Sequence, residues 1–281
     1  MKYIDAIKGT AIAFIAIVFI TYMIDGIGPS SEVELVLTIS TFLFAILTGF
    51  FIARLSSRFD SIRITVAEED AKMLSLYRTS EAFGKQFSNK VATEIDSYYI
   101  ISYDFSLSDS DKATKANGRY ITQLWKLIHS VKKKDPSGAY QNMMGQMTAI
   151  ELTRKKAAAI SKEKLGAGQW TTLILLTGII LTSVNYIKTD SLYSIIISIL
   201  LATILVLVLL IMRDLQNLML GGVSLLEESG QLILEEIGKQ RYYNEYFIKK
   251  GISTVPKDIT AYRVGTHKPG SHTFKIKKVK T

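Results

Sequence analysis

Cysteine is absent from the chain, which excludes disulfides, thiolate metal sites and a cysteine nucleophile. Proline is scarce. There are four, none of them between Pro29 and Pro136, so nothing in that interval forbids long helices. The phosphate loop G-x-x-x-x-G-K-[ST], the zinc-protease H-E-x-x-H and the nucleophile elbow G-x-S-x-G are all missing. Histidine occurs three times, as His129, His267 and His272. No nucleophile, metal cluster or acid–base group assembles from what remains. The expectation is a protein that is not an enzyme and uses no cofactor. No N-x-[ST] acceptor occurs either, which fits a prokaryotic or inward-facing chain.

Charge is missing from four long stretches. Gly9–Ile24, Leu35–Ala53, Leu165–Ile187 and Ser191–Met212 contain no Asp, Glu, Lys, Arg or His. At ~1.5 Å per residue, about 20 apolar residues cross ~30 Å of hydrocarbon. The first run is short and gains Ala6 and Ile7 if Lys8 reaches the headgroups. Lys2 would also suit a signal peptide, but no small-x-small cleavage site precedes Ser30, so a retained helix is expected. Trp170 and Tyr186 flank the third run at interfacial positions. With no ionisable residue inside the spans, a proton relay or ion-pair-driven transporter is not expected.

Charge beside the spans sets an orientation. The linker Asp25–Glu34 has no Lys or Arg, and Lys188–Asp190 has one. The other flanks carry eleven, from Lys2 and Lys8 through Arg54, Arg58, Arg63 and Arg154 to Arg213. The positive-inside bias predicts a multi-pass membrane protein with both termini and the central segment cytoplasmic. Much of the net charge of +9 comes from the tail, where residues 249–281 carry nine Lys or Arg and one acid. Lys275, Lys277, Lys278 and Lys280 are candidates for lipid-headgroup or partner contact. The alternative is a solvated, partly disordered tail. No nucleic-acid motif accompanies the charge, and nucleic acid is not an expected partner.

Between the spans the pattern is helical. Ile62, Val66, Met73, Leu76, Phe83, Phe87, Val91, Ile95 and Tyr98 recur at steps of mostly three, four or seven, so the second span is expected to run on, or kink near Arg58, into a helix ending near Asp104. A turn is expected at Ser106–Asp111, where Asp109-x-Asp111 suits helix capping better than a Ca²⁺ loop. Further helices are expected over 112–134 and, after an Asp135-Pro136 cap, over 136–164. The Met143, Met147 stripe of the latter reads as core. Beyond Arg213 a helix is expected to about Lys239 with a bend at Gly221-Gly222. A short helix over 241–250 should follow, then a β-hairpin of 260–266 with 272–279 around Lys268-Pro269-Gly270-Ser271. Glu227-Glu228 and Glu235-Glu236 suit a solvated helix face better than a cation site. His267 with His272 across the hairpin is a weak metal candidate.

The predicted fold is an all-α integral membrane protein, with four transmembrane helices in two hairpins, a long-helix cytoplasmic bundle and a small C-terminal β-hairpin. Its parts are a hairpin over 1–55, a helical domain over 56–165, a second hairpin over 166–212, C-terminal helices over 213–250 and a basic tail over 251–281.

Two features of the spans bear on function. Phe42, Ile46 and Phe50 are four apart on one face of the second span, with Thr41 and Thr48 read as flanking it. Repeated around an axis they would form apolar rings; alone they suit lipid or helix packing. In the third span Thr171, Gly178, Thr182 and Asn185 form a small or polar stripe suited to close packing.

The step Ile46-Leu47-Thr48-Gly49-Phe50-Phe51, followed by basic residues, resembles the neck-forming second helix of bestrophins. Glu68-Glu69 to Leu76-Tyr77-Arg78, Ile95 to Tyr99, Glu151-Leu152-Thr153-Arg154 and Trp170 extend the likeness to the bestrophin-like domain family of bacterial membrane proteins, over roughly residues 30–215. The resemblance implies a homo-oligomeric, pentameric ion channel with inorganic ions as permeant species, membrane lipids as surroundings, and Phe42, Ile46 and Phe50 lining the neck. It finds no counterpart here of the acidic calcium clasp, and no metal site is expected. The competing reading is a non-conducting membrane scaffold or sensor that presents its cytoplasmic helices and basic tail to a partner.

Overall fold

The computed structural model describes residues 3–131, 138–219 and 227–280. These divide into two compact units, one of residues 4–57 and 164–219, the other of residues 3, 58–131, 138–163 and 227–280.

The first unit holds helices long and apolar enough to cross a membrane: α1 (Ala6–Met23), the first part of α2 (Ser31–Ser80), α6 (Ala167–Ile187) and α7 (Leu192–Gln216). Each is built around a charge-free run, so no ionised side chain within that run has to enter hydrocarbon. Their outward faces are apolar: Ile7, Ile15, Phe50, Leu175 and Tyr193 are all exposed. An apolar surface of that extent suits lipid or further protein rather than water.

Of the two expected hairpins, the second is present as α6 against α7, while α1 packs mainly on a helix other than its neighbour in sequence. The chief partner of α1 is α7, which also meets α6. Gly9 lets them approach, since a Cβ there would lie 2.9 Å from Leu210 Cδ1. The third-span stripe also differs from expectation. Thr171, Gly178 and Thr182 face outward, and the buried face of α6 is Leu173, Thr177, Ile180, Ser183 and Val184.

What holds the helix ends is polar. The first N–H groups of α1 lack intrahelical acceptors. Asp5 Oδ1 accepts from Lys8 N at 2.8 Å, and the buried Asp214 Oδ2 accepts from Ala6 N at 2.7 Å. Arg213 bonds both Asp214 Oδ1, at 2.7 Å, and Ile4 O, at 2.6 Å. Gln216 Oε1 accepts from Leu165 N and Trp170 Nε1, each at 3.0 Å. At the other end Lys188, only 5% exposed, donates to the carbonyls of Thr21 and Ile24. A cation there complements the helix C-terminus. Ile27 N donates to Tyr186 O at 2.8 Å, so the two short linkers meet.

The second unit is a helical bundle with a small sheet. It contains the later part of α2, then α3 (Lys85–Ser102), α4 (Ser110–Ser130), α5 (Ala139–Lys162), α8 (Glu227–Glu236) and α9 (Glu245–Lys250). The expected helix to Asp104 is broken. A 3-10 turn at Glu81–Phe83 leads to Gly84 at φ +92°, a backbone state open to glycine. The core forms where the apolar stripes converge: Met73 and Leu76, Val91 and Ile95, Leu124 and Ile128, Met143, Met147 and Ile150, and Leu234. Met143 and Met147 are core, as expected. The Asp135-Pro136 cap and the Gly221-Gly222 bend lie outside the described residues. The expected helix from Arg213 to Lys239 is not continuous, because α7 ends at Gln216 and Leu218 takes φ 56°.

The C-terminal hairpin forms as expected, with β2 (Ala261–Gly265) antiparallel to β3 (Ile276–Lys280). A third strand was not anticipated. Tyr242–Asn244, read as the start of a helix, is instead β1, parallel to β2. Its three residues are all buried, a tertiary demand that overrides a short helical pattern.

The tail is docked within this unit. Asp104, with a fully buried side chain, accepts from Asn244 Nδ2 at 2.6 Å and Gly270 N at 2.9 Å, and faces His267 Nε2 at 3.1 Å. Burial raises the Asp104 carboxyl, while these partners pull it back down. Arg263 forks onto Asp96 at 2.5 and 2.9 Å. His272 sits beside the Tyr120 ring instead of sharing a site with His267. Among the described residues no cluster of three or more His, Cys, Asp or Glu could hold a metal. Asp109 and Asp111 pair with Lys112, Lys115 and Lys162. Glu228 and Glu235 pair with Arg241, and Glu236 with Arg78.

Two outcomes follow from these contacts. Gly26→Ala would place a Cβ 1.8 Å from the Lys188 carbonyl; the resulting overpacking should cost about 1–3 kcal/mol, read as a lower melting temperature in detergent. Gly178→Ala, with nothing within 4 Å in the middle of α6, should not lower the melt and should raise it slightly. His267→Ala removes a partner of a buried carboxylate, a loss of about 1–3 kcal/mol, and limited proteolysis should then cut within 268–280 faster than in the parent.

Candidate functional site

Helix α2 carries both candidate sites, one in its apolar part and one in its polar part. At about 100° per residue, Phe42, Ile46 and Phe50 span an arc of roughly 80°. They are 66, 54 and 64% exposed. The opposite side of the same helix is turned inward, with Ser40, Phe44, Thr48, Phe51 and Leu55 buried. Thr48 therefore does not flank the apolar face. It lies about 160° from the centre of that face, and its hydroxyl is buried without a hydrogen-bond partner among the described residues. Thr41 is exposed but lies about 140° away. Gly49 has open space around it.

Further along α2 the apolar stripe Ile62, Val66, Met73 is interrupted by Glu69 and Asp70, which are 8% and 5% exposed. Two neighbouring tyrosines of α3 receive them. Tyr98 Oη donates to Glu69 Oε1, and Tyr99 Oη donates to Asp70 Oδ1 at 2.7 Å. The second oxygen of Asp70 accepts from Ser229 of α8. Gly230 admits α8 to this place, for a Cβ there would lie 2.8 Å from the Tyr99 ring.

From α5, Arg154 lies over the Tyr98 ring at 5.5 Å. Its Nη2 donates to Asn117 Oδ1 and to Thr114 O at 2.9 Å, and Asn117 Nδ2 donates to Ser102 Oγ at 2.9 Å. Arg154 Nε is buried without a partner among the described residues. No ion pair joins Arg154 to Glu69 among the described residues. Arg58, also buried, donates to the carbonyls of Ile160 and Ser161 at the end of α5.

Removal from water disfavours the charged carboxylate. Burial pushes Glu69 up to about 7 and Asp70 up to about 6, against the opposing pull of the Tyr98, Ser229 and Tyr99 hydroxyls. The arrangement can hold and release protons near neutral pH. Lys277, Lys278 and Lys280 are exposed along β3, an outer strand of the sheet, and Lys275 is exposed just before it.

Sequence reasoning named the segments that meet at the polar centre but not their meeting. Glu68-Glu69, Ile95–Tyr99 and Glu151–Arg154 were noted separately; the structure brings Glu69, Tyr98 and Arg154 together. A signal was present. Charged residues occupy stripe positions between Val66 and Met73, and again between Ile150 and Ala157.

No curated protein and no solved structure matches the chain. The bestrophin-like domain matches residues 29–227. That interval takes in the apolar face of α2, Glu69, Tyr98 and Arg154 of the polar centre, and both later helices long and apolar enough to cross a membrane. It is more than half of the chain, and the chain belongs to the bestrophin-like domain family.

Proposed function

We propose that the chain assembles as a homo-oligomer, a pentamer by analogy with bestrophins, into an ion-conducting pore of the bacterial inner membrane. Phe42, Ile46 and Phe50 line its neck, and both termini lie in the cytoplasm. The observation that carries this reading is the division of α2. One face is buried within the chain, while the opposite face presents three large apolar side chains to whatever surrounds it. Rings of such side chains form a constriction that passes ions only when wetted. The family's channel-like character supports the assignment. The meeting of the two short linkers supports the topology, since both then leave the bundle at one end.

In this reading the lysines of β3 serve the membrane surface. Lys275, Lys277, Lys278 and Lys280 form no ion pair among the described residues. They also guard an open strand edge against pairing with another chain. A basic segment beside an anionic leaflet gains about 1 kcal/mol per Lys or Arg near the surface.

Purified protein reconstituted in liposomes should pass inorganic ions. Replacing Phe42, Ile46 and Phe50 together by alanine should widen the neck and raise the flux; unchanged flux would assign the pore to another face. Native mass spectrometry should count five subunits, and a stable monomer would remove the pore. Replacing the four lysines by glutamine should reduce the anionic phospholipid retained in the same spectra, with the difference shrinking as salt rises.

A further inference from the structure

We propose that Glu69 and Asp70, with Tyr98, Tyr99, Arg154 and Ser229, form a proton-operated latch that fastens α2 to α3, α5 and α8. Among the described residues these two buried carboxyl groups lie close to a buried cation that is bonded elsewhere. Each partner comes from a different element, so whatever changes at the carboxyls is felt by all of them.

The geometry defines two states. In the first, Glu69 carries its proton. Tyr98 bonds it, and Arg154 is free to hold Asn117 and the Thr114 carbonyl. In the second, the proton leaves to solvent and a carboxylate remains in a site with little water. Arg154 of α5 is a cation whose charge acts on Glu69 from a facing element, and its Nε has no partner among the described residues. A buried guanidinium beside a newly formed carboxylate turns toward it, because the Coulomb attraction is strong at low dielectric. Turning releases Asn117, and with it the link from α5 through α4 to Ser102 of α3. At Asp70 the same loss strengthens the bonds from Tyr99 and Ser229, so α8 tightens while the α4–α5 contact slackens.

The other charged groups around the pair are few. Lys72 lies on the same helix and is paired with Glu68 at 3.6 Å. Tyr103 stacks on Tyr99 at 5.8 Å. The two carboxyls repel one another when both are ionised, which spreads their titration.

The sign of the pH dependence is set by the buried state holding protons more tightly than the unfolded chain. Glu69 goes from an ordinary 4.5 to about 7, and Asp70 from 3.8 to about 6. Between those limits the folded chain binds more protons, so stability falls as pH rises and levels off above about 7.

The test is infrared titration of the full chain in detergent, with thermal melts alongside. A protonated-carboxyl carbonyl band should persist to near pH 7 and vanish in Glu69→Gln; a second component should titrate near 6 and vanish in Asp70→Asn. The melting midpoint should drop by about 5 °C between pH 5.5 and 8, and Glu69→Gln should flatten most of that slope. Arg154→Lys, which keeps the charge but loses the fork, should keep the carboxyl band and lose the change in exchange protection of α4. Loss of every carboxyl band below pH 5, or a flat melt in the parent, overturns the latch.

The regulatory consequence, that cytoplasmic pH biases the neck through α2, rests on the pore reading. If liposomes conduct but flux is independent of pH, the latch does not gate. If nothing conducts while the band and melts titrate, the latch stands and the pore reading fails.

Discussion

Backbone and side-chain polar groups withdrawn from water must find partners inside the chain, and that requirement organises both units. In the apolar unit the buried Thr48 hydroxyl has no partner among the described residues, while for the backbone the requirement is met within each helix, leaving the helix ends exposed to the demand. Asp214, Arg213, Gln216 and Lys188 answer it. Each is a polar residue at or beside the end of one of the long apolar helices, and each bonds a terminal backbone group of another segment. The pairing of α1 with α7 follows from this as much as from apolar packing. Asp214 and Arg213 of α7 bond Ala6 and Ile4 at the start of α1, and Gly9 lets the helices close.

In the polar unit the same requirement has a different result. Glu69, Asp70, Arg154 and Asp104 are buried, and each is surrounded by neutral donors, acceptors or rings rather than by a simple opposite charge. Breaking such a group leaves an uncompensated charge, a costlier outcome than losing an exposed ion pair. The basic tail is likewise fastened through Asp104–His267 and Asp96–Arg263, so its lysines are presented on a folded strand rather than on a loose segment.

Helix α2 joins these two chemistries in a single element. Its early turns show alternation between an inward and an outward apolar face; its later turns replace apolar stripe positions with carboxyls. In the family reading, the helix that would line a neck also carries the proton-binding pair. That continuity is a property of the sequence of residues 31–80, where neither proline nor a cluster of turn formers intervenes.

The four helices long and apolar enough to cross a membrane, the C-terminal hairpin, the methionine core and the outward-facing triplet of α2 were legible in the amino-acid order, because hydrophobic runs and helical periods are local. The family likeness was legible for the same reason, from short segments read in place. The break at Gly84 and the strand Tyr242–Asn244 were not. A lone glycine carries no sign of the φ it will adopt, and a three-residue strand exists only beside its partner. Thr48 is close to the triplet in sequence yet lies on the far side of the helix, because two residues turn the chain by about 200°. The convergence of Glu69 on Tyr98 and Arg154, separated by 29 and 85 positions in the chain, was decided by tertiary structure alone: which helices meet depends on how their buried faces fit, and no local pattern encodes a fit between surfaces.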